Sequence, residues 1–168
     1  MQRRTLLRLG LGTAALIAVV GGGVALVRPA LSNGQLTATG RSVFAAVARA
    51  VLDGSLPKDA AAQQAALTAH LSRLNGAIAA FPAATQGELA QLLSLLASAP
   101  GRMGLMGLST DWDVASVAQI QAAMQGLRTS SLALRQQTYH ALRDLTNAAF
   151  YADAQAWKLM GYPGPVTI

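Results

Sequence analysis

Apolar positions along the chain form one long unbroken block, followed by shorter segments with helical spacing. Residues 9–27 carry no charge and are rich in Leu, Ala, Val and Gly. As a helix, these nineteen residues reach roughly 28 Å, close to the thickness of a bilayer core. A helix capped by Thr39 is then predicted over residues 39–53, with Val43, Phe44, Val47, Ala48, Val51 and Leu52 on one face. Gly54 to Pro57 break it. A second helix over residues 58–80 places Leu67, Leu71, Leu74, Ile78 and Phe81 at alternating steps of four and three, which makes a bundle seam.

Thr85, Gln86, Gly87 and Glu88 match a capping box, in which Thr and Glu satisfy each other's open backbone N–H groups. It predicts a third helix with Leu89, Leu92, Leu93 and Leu96 inward, stopped by Pro100 and Gly101. Ser109 or Thr110 is expected to cap a fourth helix whose stripe is Val117, Ile120, Met124 and Leu127. A fifth over residues 132–152 buries Leu134, Tyr139, Leu142, Leu145 and Ala149. Asp153 then opens a short last helix carrying Trp157, closed by Gly161. The expected fold is all-α: a small antiparallel bundle of about five helices behind an N-terminal signal or transmembrane helix. Residues 1–32 read as leader or uncleaved anchor, 33–38 as a linker, and 39–168 as the helical domain with its aromatic tail.

Arg3, Arg4 and Arg8 precede the apolar block and predict a cytoplasmic N-terminus. The pair Arg3–Arg4, followed by Leu6 and Leu7, resembles a twin-arginine (Tat) leader, so export to the periplasm through the Tat translocase is expected. The other reading is a plain membrane helix whose arginines obey the positive-inside rule. Ala30, Leu31 and Ser32 have the small-residue spacing of a signal-peptidase site, with cleavage after Ser32. The apolar block exceeds the usual h-region of about 7–15 residues, which suits a retained anchor in the inner membrane. Both outcomes stay open.

The net charge of +6 belongs mostly to the leader. From Asn33 on, nine basic residues face seven acidic ones, and they form no basic cluster of the kind nucleic acid requires. There is no cysteine, which excludes disulfides, thiolate metal sites and a Cys nucleophile. Gly10, Gly12 and Gly21 to Gly23 follow no strand and make no phosphate loop. His70 beside the leucine seam reads as a boundary histidine rather than a ligand. His140 and Asp144, at i and i+4, stand side by side as a surface pair or an oriented imidazole. Asp111 and Asp113 suit a helix N-terminus better than a metal. No catalytic, cofactor-binding or metal residue is expected in this chain. Met103 and Met106 lie in a Gly-spaced apolar stretch that either tucks into the core, the favoured reading, or docks a partner.

Five of eight aromatic residues fall between Tyr139 and Tyr162, and the chain closes with Trp157, then Gly161, Tyr162, Pro163, Gly164 and Pro165. Pro163 and Gly164 suit the centre of a type II turn. On physical grounds such a tail wraps the bundle or docks a partner, wrapping being the more natural outcome. With the leader and the small helical body, this ending resembles the small subunit (subunit 3) of gluconate 2-dehydrogenase and its relatives. The resemblance covers the leader and about the last twenty residues. It implies a non-catalytic accessory subunit of a periplasmic flavin-dependent dehydrogenase of the glucose–methanol–choline type. FAD would sit in that large subunit. Arg3, Arg4, Leu6 and Leu7 would carry the translocation signal. Met103, Met106, Trp157, Tyr162, Pro163, Gly164 and Pro165 are the candidate partner-binding residues. The alternative is a free-standing periplasmic helical domain that binds a small ligand.

Overall fold

The computed structural model describes residues 29–159 and 161–164. Residues 1–28 of the expected leader, with Arg3, Arg4, Leu6, Leu7 and the apolar block, lie outside the described residues, as does Pro165. What is described is mainly helical. Five helices have twelve or more residues: α1 (Ala38–Val51), α2 (Ala60–Ala79), α3 (Ala83–Ala97), α5 (Val117–Arg128) and α6 (Ala133–Tyr151). Two short ones, α4 (Ala99–Gly101) and α7 (Ala154–Leu159), complete the set. Among the described residues no helix is long and apolar enough to cross a membrane.

Helix α1 is the hub. It packs against α2, α3, α5 and α6, and so is buried beyond the single predicted stripe. Ala46 and Ala50 are enclosed along with Val43, Phe44, Val47 and Ala48. The alanines between the larger side chains let neighbouring helices approach from several sides, while Arg41 stays exposed. Its cap is Thr37, whose hydroxyl accepts from Gly40 N–H, rather than Thr39.

The expected linker at residues 33–38 is instead mostly a β-hairpin. Strands β1 (Leu31–Ser32) and β2 (Gln35–Leu36) pair antiparallel, with Leu31 opposite Leu36 and Ser32 opposite Gln35. Asn33 and Gly34 turn the corner at φ of 49° and 71°, the pair of positive values that a type I′ turn needs. Leu31 and Leu36 share the buried face. Asn75 of α2 reaches across, its Oδ1 accepting from the Leu36 N–H at 2.8 Å.

The seam of α2 holds over four of its five expected positions: Leu67, Leu71, Leu74 and Ile78 are buried, whereas Phe81 lies past the helix end and is half-buried. Its start moves to Asp59, whose carboxylate accepts from Ala62 N–H. The proposed capping box at Thr85 and Glu88 does not form, because α3 already begins at Ala83 behind Pro82. Gln86 turns back instead, its Nε2 donating to the carbonyls of Phe81 (2.9 Å) and Ala79 (3.2 Å) and satisfying the end of α2.

Helix α3 ends at Ala97, just ahead of the expected stop, but the chain turns helical again at Pro100 and Gly101. It continues as α4 and then a π-helical turn over Arg102–Met106, which Gly107 ends at φ 72°. The fourth long helix, α5, is capped by Ser116 rather than Ser109 or Thr110. Ser116 and Gln119 form the reciprocal box, at 3.2 Å and 2.9 Å. Asp111 and Asp113 do not cap α5. Asp111 pairs with the buried Arg102, and Asp113 accepts from the Ser42 hydroxyl. Between them Trp112 turns into the core, its Nε1 donating to the Leu96 carbonyl at 2.9 Å.

Candidate partner-binding site

The C-terminal tail is held by one arginine. Arg73 of α2 sends Nε to the Ala149 carbonyl at 3.0 Å and Nη1 to Asp153 at 3.0 Å. Asp153 in turn accepts from the Gln155 N–H at 3.0 Å and so opens α7, as expected. Gly161, at φ 71°, closes it with two reverse hydrogen bonds, Gly161 N to Lys158 O at 3.1 Å and Tyr162 N to Trp157 O at 3.0 Å. This is the Schellman pattern, and only a residue at ease in the left-handed region completes it.

Trp157 organises the rest. Its Nε1 donates to the Tyr151 carbonyl at 2.7 Å, and its ring meets the edge of Tyr162 at 5.8 Å between centroids. Gly164, at φ 105°, lies over the same ring, where an added Cβ would make ordinary contact at 3.7 Å. The aromatic segment therefore folds on itself more than on the core, in contrast to the favoured wrapping. Ala156 is its buried contact with the body. Leu159 is left 67% exposed and Tyr162 48% exposed, with Pro163 and Tyr151 also exposed.

The structure divides the predicted set. Trp157, Tyr162, Pro163 and Gly164 come together. Met103 and Met106 sit in the π-helical turn, which packs on α3, α4 and α5, whereas α7 packs on α6. Met106 is 1% exposed and packed in the core, as the favoured reading had it, which corrects its place in the set; Met103 is 51% exposed. Sequence reasoning missed Tyr151, Leu159 and Arg73. Leu159 sits within the motif and was open to inclusion. Arg73 is eighty positions from Asp153, and nothing local marks the pairing.

Of the candidate chemistry, His140 lies 3.9 Å from Asp144 on the exposed side of α6, and Asp144 also accepts from Arg143 at 3.0 Å. His70 is not a boundary residue: it is 1% exposed, with neither ring nitrogen hydrogen-bonded. Burial, and secondarily the Arg73 guanidinium, push it down to about 4. Among the described residues no group of three His, Asp or Glu side chains stands close enough to hold a metal. A depression of about 310 Å³ lies between the chain after the π-helical turn and α5, lined by Met106 to Thr110, Gln119, Ala122, Ala123 and Gly126. Its Gln119 and Thr110 side chains are hydrogen-bonded to each other at 3.2 Å. Comparison of the chain with protein-family models, curated proteins and solved structures finds no match.

Proposed function

We propose that this chain is a non-catalytic accessory subunit that co-exports a folded flavin-dependent dehydrogenase to the periplasm and holds it at the inner membrane. The observation that carries this reading is the C-terminal knot. Leu159 and Tyr162 face solvent on a segment whose shape is set internally by Trp157 and Gly161. A preshaped apolar and aromatic surface loses little entropy on docking, and aromatic residues are common anchors of protein interfaces. The twin-arginine pattern supports the reading independently, because the Tat route carries folded proteins and so suits a passenger with a bound cofactor. On this reading FAD belongs to the large subunit, and this chain performs no reaction of its own.

The test is co-purification from cells that express the chain at native level. A tagged chain is expected to bring down a flavoprotein, recognised by its flavin absorbance, and Arg3→Lys with Arg4→Lys is expected to leave both proteins in the cytoplasm. Absence of flavoprotein, together with unimpaired export of the dehydrogenase in the double-lysine strain, rejects the reading.

The second reading, a small-ligand-binding domain, draws on the depression beside the π-helical turn. Its volume lies at the lower end of ligand pockets, roughly 300–1,000 Å³. Its Gln119–Thr110 pair is already satisfied, which leaves fewer polar groups to fix a ligand, so the accessory-subunit reading is preferred.

A further inference from the structure

The residues that a signal peptidase must grip to cut after Ser32 are part of the fold. Ala30 is fully buried; its N–H donates to Ser94 Oγ at 3.1 Å and its carbonyl accepts from Thr37 N–H at 3.1 Å. Leu31 is buried and paired with Leu36, and Ser32 is paired with Gln35. The bond after Ser32 leads straight into the two-residue turn, with Asn33 in the left-handed region. Gly40 permits this arrangement, since a Cβ there would stand 2.1 Å from the Ala30 carbonyl oxygen.

Enzymes that bind peptide segments as added strands need an extended backbone with free N–H and C=O groups, and pockets for alternate side chains. While folded, Ala30 has neither backbone group free, and the side chains of Ala30 and Leu31 are buried and closed to such pockets. The turn is too short to enter an active site without opening the hairpin, so cleavage would require local unfolding. A chain exported in its folded state meets the peptidase with the hairpin already made. We propose that the fold protects the Ser32–Asn33 bond, so that the exported chain keeps Ala30, Leu31 and Ser32 and any processing falls upstream of Pro29. This rests on the export reading above. Only Arg28 and Pro29 separate the apolar block from Ala30, so an uncut leader holds the hairpin end of the domain close to the membrane surface.

The full chain in detergent is incubated with purified signal peptidase, and new N-termini are read by mass spectrometry. The native chain is expected to resist, while Gly40→Val, which forces the Ala30 carbonyl away, is cut after Ser32 about tenfold faster or more. Asn75→Ala, which removes the acceptor for the Leu36 N–H, serves as a second, milder opening, and circular dichroism checks that its helices persist. Rapid cleavage of the native chain after Ser32 overturns the proposal. Equal resistance of the native chain and both variants also overturns it, because the fold is then not what protects the bond. Protease accessibility in spheroplasts reads export separately, so a failure to cross the membrane rejects the export reading while the detergent experiment still decides the protection.

Discussion

Arg73 and Asp153, eighty residues apart, are joined at 3.0 Å, and the same guanidinium caps the Ala149 carbonyl at the end of α6. One side chain thus ties α2 to both helices that carry the exposed aromatic knot.

Arg73→Ala is expected to loosen α7 without unfolding the body. Both partners are about a third exposed, so solvent screens the pair and the global cost is about 1 kcal/mol. Amide hydrogen exchange is expected to rise over residues 154–159 and to change little at α1. Unchanged protection there removes Arg73 from its anchoring role.

His70 makes stability depend on pH. The folded state holds it at about 4, below its ordinary 6.5, so between these values the unfolded chain binds the proton first. Stability from this group is therefore full above about pH 6.5 and falls as the pH drops towards about 4, by on the order of 3 kcal/mol in all. His70→Leu is expected to flatten that slope and to raise the melting temperature at pH 5 more than at pH 8. A variant that keeps the native slope assigns it to other groups.

Trp112 anchors the stretch after the π-helical turn. Trp112→Phe removes the hydrogen bond to the Leu96 carbonyl and is expected to cost about 1–2 kcal/mol. Trp112→Ala empties a core position at a cost of about 3–5 kcal/mol. Urea denaturation followed by circular dichroism measures both, and equal losses for the two variants contradict a separate role for the hydrogen bond.

Leu159→Asp and Tyr162→Ser change exposed side chains and are expected to leave the melting temperature within about 2 °C of native. On the accessory-subunit reading, co-purified flavin falls at least several-fold in either variant. Full recovery of the flavoprotein with both places its docking surface elsewhere.

Helical periodicity made the five long helices legible, because burial of Leu67, Leu71, Leu74 and Ile78, or of Ile120, Met124 and Leu127, repeats at the pitch of a helix. Caps were less legible. Thr85 to Glu88 has the letters of a capping box, and so does Ser116 to Gln119, yet only the latter stands where the backbone changes direction. The knot was visible in part: Trp157, Gly161 and Tyr162 were marked by composition, and the Schellman closure needs only local residues.

Local order along the chain determined which segments are helices, which faces are apolar, that the last helix opens at Asp153 and closes at Gly161, and that most of the net charge lies ahead of Asn33. Tertiary structure alone decided that α1 is the central helix, that His70 and Trp112 are interior, that residues 31–36 are a hairpin against α2 and α3, and that Arg73 meets Asp153. The physical reason is range. Helix spacing and caps depend on residues within about four positions. Burial of a histidine, or pairing across eighty residues, depends on which helices become neighbours, and that follows from the packing of the whole domain.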